Sequence, residues 1–181
     1  MSTSEPDVAD TGKPAAPDDL QALLTRLDAG ETLDGSAFAA FVDPELDAFA
    51  SGVIGLVYDT ISTERVTAHA QVGARHQQPY GIINGGVWCT IVESIASVAG
   101  ALRVASSGKL VVGVSNATDF LRSYRGGRVD AEARVIHAGR QQQLWQVVIT
   151  RPDDGKALAR GQVRLQVVEA AQLAAPTGST P

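Results

Sequence analysis

The residues with the clearest chemical potential lie in one short stretch. A loop, RHQQPYGIINGG, runs into a long apolar segment from Gly85 to Ala105, and Glu93 is its only charged side chain before Arg103. A lone carboxylate in so apolar a helix is costly to keep ionised unless something pairs with it. Two readings stay open. Glu93 is a solvated or arginine-paired surface acid, or it is a partly desolvated carboxylate acting as nucleophile or general base. At about 100° per residue, Val87, Ile91, Ile95, Val98 and Leu102 share one stripe. Gly86, Thr90, Glu93, Ser97 and Gly100 share the opposite one. That second strip is small or polar and leaves room above the helix for a ligand or another backbone.

The start of this helix offers a second group. Asn84-Gly85-Gly86 follows a loop, so free N–H groups point outward there at the positive end of the helix dipole. Such donors suit a developing oxyanion, and glycine admits close approach. A plain turn with Asn84 as N-cap explains the same residues equally well. Gly85 and Glu93 are eight residues apart, or about 12 Å along the axis. One helix cannot bring both to within about 3 Å of one carbonyl carbon. Two antiparallel copies can, so a site using both groups lies between the subunits of a two-fold dimer.

The surrounding elements must position these groups. Residues 1–17 are acidic, Pro-rich and without periodicity, and read as disordered. From Asp18, Leu20, Leu23, Leu24 and Leu27 recur at helical spacing, and SAFAAFVDPELDAFA predicts a second short helix broken before Pro44. Residues 18–51 are therefore a helical arm. From Gly52 strands dominate: VIGLVYDT, then RVTAHAQV with Val66, Ala68, Ala70 and Val72 on one face. Four more strand-like runs follow the helix, with Gly126-Gly127 and Asp154-Gly155 in their connections, the latter a hairpin signal. Two strands, one helix and a four-strand meander predict an α+β fold, an antiparallel sheet wrapped around one long central helix. Residues 52–168 form this domain and residues 169–181 a flexible tail.

The segments HQQPYGIINGGVWCTIVESIASVAG and VVGVSNATDFLRSYRGGRVDAEARVIHAGRQQQLWQVVI resemble the hotdog-fold acyl-CoA thioesterases. The branch they are most similar to contains 4-hydroxybenzoyl-CoA and 1,4-dihydroxy-2-naphthoyl-CoA thioesterases. The resemblance covers residues 52–168 and rests on a glutamine, six residues, Gly-Gly, six residues and a glutamate. It implies Glu93 as nucleophile or base for water, the Gly85 N–H as donor to the thioester oxygen, and the Gln78 amide as its partner. It implies Ser97 as a hydroxyl assisting the attacking water. CoA phosphates would meet Arg122 and the segment His137, Gly139, Arg140 and Gln141. The chain departs from the pattern at Asn84, where the family carries histidine; an amide cannot titrate near neutral pH.

Of the remaining groups, His69 reads as structural or exposed, and His76 as an exposed loop histidine or a substrate contact. Cys89 reads as packing. No two histidines have metal-ligand spacing, and a single cysteine excludes an intrachain disulfide. Neither metal nor cofactor is expected, CoA being part of the substrate.

Composition agrees with that class. The chain has 181 residues and a net charge of −5. Residues 1–50 hold 11 acidic and 2 basic side chains, whereas residues 51–181 hold 9 acidic and 13 basic. The basic body suits a small polyanionic ligand better than nucleic acid. No run of 18 or more apolar residues predicts a membrane span, and the N-terminus lacks the form of a secretory signal, so a cytoplasmic location is expected. The expected enzyme hydrolyses an aromatic or medium-sized acyl-CoA as a homodimer, or as a dimer of dimers. The alternatives are a non-catalytic acyl-CoA sensor, an enoyl-CoA hydratase, which would want an Asp/His pair not found near Gly85, and a docking role for the acidic arm.

Overall fold

The computed structural model describes residues 17–39 and 48–172. Helix α1 (Pro17–Asp28) leads into strand β1 (Leu33–Asp34) and helix α2 (Gly35–Ala39). A π-helical segment, Ala48–Ile54, precedes strands β2 (Leu56–Ile61) and β3 (Arg65–Val72). The long helix α3 (Gly85–Val104) follows, then β4 (Lys109–Phe120), β5 (Gly127–Ala138), β6 (Gln142–Thr150) and β7 (Ala157–Glu169). The strands make one seven-stranded antiparallel sheet in the order β1-β2-β3-β5-β6-β7-β4, with α3 packed on it.

Alternation drives this packing. Val66, Ala68, Ala70 and Val72 of β3 are buried on the face predicted, and Trp145, Val147 and Ile149 of β6 are buried as well. Nine residues of α3 are buried, among them Ile91, Val92, Ile95 and Ala96. The segment Gly85–Ser107 is long and apolar enough to cross a membrane by length and composition. No uninterrupted apolar run of that length is present in it, because the polar residues of the open strip break the run. Half of this apolar window is buried, mostly against the sheet.

Several expectations require correction. The run VIGLVYDT is not one strand: residues up to Ile54 are helical and β2 begins at Leu56. Continuous apolar character does not separate a short buried helix from a strand. The four strands after α3 are not a simple meander. Only β5, β6 and β7 follow one another; β4 pairs with β7, while β5 returns to β3. The Gly126-Gly127 segment therefore carries a crossing rather than a hairpin, whereas Asp154-Gly155 does lie in the β6–β7 turn. Gly100, placed by the helical wheel on the open strip, is buried instead. A Cβ there would stand 2.3 Å from Leu165 Cδ1, so the helix end presses its backbone onto β7.

The arm joins the same core. Leu23, Leu24 and Leu27 are buried, β1 pairs with β2, and Leu20 stays 40% exposed. The second arm helix is observed only as α2, and residues 40–47, including Pro44, lie outside the described region. Removing buried side-chain carbons leaves a cavity as well as losing transfer free energy. Leu27→Ala is therefore expected to lower unfolding stability by about 2–5 kcal/mol, and Leu20→Ala by less than about 0.5 kcal/mol. Urea denaturation of the two variants checks this; equal effects would mean that α1 is not part of the core.

Candidate active site on helix α3

The loop before α3 is held by backbone bonds and one buried ring. Residues 78–82 close a tight turn, in which Gln78 N donates to Ile82 O and Gly81 N donates to Gln78 O, both at 2.9 Å. His76 is buried rather than exposed, which corrects the expectation for it. Its Nδ1 accepts from Gly73 N at 3.0 Å, and its Nε2 lies 3.1 Å from Val53 O. The ring thus ties the loop to the segment before β2. Asn84 N donates to His76 O at 2.9 Å, Ile83 N donates to Tyr124 O at 2.8 Å, and the helix begins there. The Gln78 side chain is half-buried in this loop and makes no hydrogen bond among the described residues.

Asn84 is the N-cap of α3. Its Oδ1 accepts from Gly86 N at 2.7 Å, and its carbonyl accepts from Val87 N at 3.0 Å. The Gly85 N–H is left without an acceptor among the described residues. The Phe120 ring covers this glycine so closely that a Cβ on Gly85 would stand 2.4 Å from the ring.

Two turns further along, Glu93 turns toward strand β4. Its Oε2 accepts from Asn116 Nδ2 at 2.9 Å, and Ser97 Oγ lies 3.5 Å from Oε1. The Asn116 amide also donates to Cys89 O at 3.1 Å, and its Oδ1 accepts from Thr118 Oγ1 at 2.6 Å. Gly113 makes room for the carboxylate: a Cβ there would be 2.6 Å from Glu93 Oε1. The register of β4 against β7 shifts between Gly113 and Ser115, beside this contact.

The structure therefore brings Glu93 and Ser97 together and holds Gln78, Asn84 and Gly85 together, but keeps the two groups apart along one helix. Gly113, Asn116 and Thr118 were missed. The signal was the polar cluster Ser115, Asn116, Thr118 and Asp119 inside a run otherwise read as an apolar strand.

The remaining candidates fall at opposite ends of the sheet. Arg122 is exposed just beyond β4, where its Nη1 donates to Ala157 O at 2.6 Å. His137, Gly139, Arg140 and Gln141 occupy the β5–β6 hairpin. Arg140 and Gln141 line a cavity of about 550 Å³ with Lys109 and Gln166. The length of β4 separates these ends by about 40 Å. His69 is paired with Asp59 at 2.7 Å between β3 and β2, a structural contact away from all of these groups. A cavity of about 500 Å³ between α2 and β2, lined by Phe38, Leu56 and Tyr58, shares no residue with the Glu93 cluster.

A long helix packed on one seven-stranded antiparallel sheet, with this loop at its N-terminus, is the hotdog architecture. Residues 80–158 match the profile of the thioesterase superfamily. The Mycobacterium tuberculosis protein Rv1847 is 44% identical over 119 residues, spanning 65% of this chain and 84% of that protein. Its solved structure superposes with a TM-score of 0.65, covering 67% of this chain and 97% of that one. The 1,4-dihydroxy-2-naphthoyl-CoA hydrolase of Escherichia coli is 35% identical over 98 residues, covering 54% of this chain and 71% of that protein. A thioesterase structure from Haemophilus influenzae has 30% identity and a TM-score of 0.62, over 71% of this chain and 92% of its own. The chain belongs to the thioesterase superfamily and is a thioester hydrolase.

The space above Gly113 gives a direct test of the Glu93 geometry. Gly113→Ala is expected to push the carboxylate off its present position while leaving the sheet folded. A displacement near 1 Å costs about 10²-fold in rate. Thioester turnover and thermal melting of the variant check this, and an unchanged rate would show that the position of Oε1 is not critical.

Proposed function

We propose that this protein hydrolyses an acyl-CoA thioester carrying an aromatic or medium-sized acyl group, at a site shared by two copies of the chain. Glu93 attacks the thioester carbon or activates water. The Gly85 N–H and the Gln78 amide of the second copy hold the thioester oxygen, and Ser97 supports the attacking water. The observation that carries this reading is the pairing of a hydrogen-bonded carboxylate at Glu93 with a helix-end N–H at Gly85 that has no acceptor among the described residues. The E. coli relative, a 1,4-dihydroxy-2-naphthoyl-CoA hydrolase, supports a CoA thioester as the substrate class.

The sheet edge supports a dimer. Strand β4 is bonded to β7 on one side only, and Leu110, Val114 and Phe120 along it are exposed. An unpaired edge of 12 residues is a ready template for a second strand. Along β4, Phe120 touches Gly85 and Gly113 touches Glu93. A two-fold axis that sets Gly85 against the other copy's Glu93 therefore crosses β4 near Asn116 and Ala117. Antiparallel β4 pairing about that point carries Arg122 of one copy toward the Lys109–Arg140 cavity of the other. The two distant basic groups then meet at one end of each site, where the CoA phosphates are placed.

Thiol release from benzoyl-, phenylacetyl-, naphthoyl- and straight-chain acyl-CoAs is the decisive assay. One substrate class is expected to turn over, and Glu93→Gln to lower kcat by about 10²–10⁴-fold. Binding of these thioesters without turnover would instead make the chain a sensor. The shared site has its own test. Co-refolded Glu93→Gln and Gln78→Ala chains give heterodimers in which one of two sites is intact, restoring roughly a quarter of wild-type activity. No recovery, or a monomer by sedimentation, would place the whole site within one chain.

A further inference from the structure

Asn116 carries more geometric information than any other polar residue outside the proposed machinery. Its two amide hydrogens go to Glu93 Oε2 and Cys89 O, and its oxygen takes the Thr118 hydroxyl. Turning the amide over would set its oxygen against two acceptors, Glu93 Oε2 and Cys89 O, and lose both of those bonds, while the Thr118 hydroxyl could only change from donor to acceptor. Thr118 is itself accommodated by Gly161 across the β4–β7 pair, where a Cβ would stand 2.7 Å from its hydroxyl.

We propose that Asn116 is the positioning residue for Glu93: the Thr118–Asn116 pair on β4, with Gly113 beside it, fixes the carboxylate of α3 in a single orientation for attack. This rests on the function proposed above. Three consequences follow from the bonding. Both N–H groups are already engaged, so Asn116 has none to offer the thioester oxygen and acts only through Glu93. A glutamate in an apolar helix otherwise has several rotamers available, and a donor to its anionic form selects one of them. The bond to Cys89 O anchors the amide to the helix backbone one turn before Glu93, so strand and carboxylate keep their register.

The test compares Asn116→Ala, Asn116→Asp and Thr118→Val in the full chain, using the acyl-CoA that wild type turns over. Asn116→Ala is expected to lower kcat by about 10- to 100-fold with KM nearly unchanged. Asn116→Asp keeps the shape but sets an acceptor against Glu93, and is expected to lose at least as much. Thr118→Val, which frees the amide to rotate, is expected to lose less than either. A double-mutant cycle separates positioning from folding. Glu93→Asp withdraws the carboxylate by one methylene, out of reach of Asn116. Adding Asn116→Ala to it is expected to change kcat by less than about threefold.

Equal losses in the wild-type and Glu93→Asp backgrounds would overturn the proposal, since Asn116 would then act independently of Glu93. A raised KM at unchanged kcat would overturn it in favour of a substrate contact. Full activity of Asn116→Ala and Asn116→Asp, with Glu93→Gln inactive, would overturn the clamp alone. Absence of wild-type turnover on every thioester would overturn the underlying function and the clamp with it.

Discussion

A carboxylate on the core helix of an antiparallel sheet constrains nearly everything around it. Most of α3 is apolar because most of it faces strands, and an acid there is tolerable only where the sheet gives way and hydrogen-bond donors take its place. Both conditions are met at one point on β4. Gly113 removes the side chain that would fill the space, and Asn116 supplies the donor. The register shift between Gly113 and Ser115 lies beside them, in keeping with the tendency of bulges to re-aim a strand next to functional groups. The buried Gln143, by contrast, is satisfied locally, accepting from Trp145 and donating to Gly100 O.

The same strand sets the limits of the molecule. Because β4 follows α3 directly and lies beyond β7, it has a free edge, while β1 caps the opposite side of the sheet with only two residues. The short edge offers little to a second chain, whereas the long one offers 12 residues with exposed apolar side chains beside the open strip of the helix. A proposed site that needs groups from both ends of one helix half thus has a matching asymmetry in the sheet. The strand that holds Glu93 is also the one left unpaired.

Much of this was legible in the sequence, for identifiable reasons. The period of α3 is legible because one face is buried in the core while the opposite strip is small or polar, and β3 and β6 alternate because one face of each is wet. The stretch from Gln78 to Glu93 is one continuous segment, on which Gly85 and Glu93 stand out by residue type and position along the helix, whereas Gln78 was singled out only by the family resemblance. What failed was non-local. The pairing of β4 with β7 is decided by how the chain crosses over α3, and nothing within either strand encodes it. Residues 48–54 are apolar enough for a strand but coil into a helix against α3. The polar cluster around Asn116 marked the strand as unusual, but its partner, Glu93, lies 23 residues away in sequence and no local pattern names it. The burial of His76 depends likewise on Val53, a residue from the far side of the preceding strands.

Asn84, the one departure from the family's pattern, is explained locally by the helix it opens. A short side chain with a carbonyl oxygen is among the best N-caps, and here it takes the Gly86 N–H. With the backbone carbonyl of the same residue taking the Val87 N–H, two of the first three helix amides are satisfied from position 84. The Gly85 N–H is the one left over among the described residues, at the mouth of the helix beside Phe120. Capping by an amide thus isolates a single donor at the helix mouth, and it does so with a group that keeps the same charge through the neutral pH range.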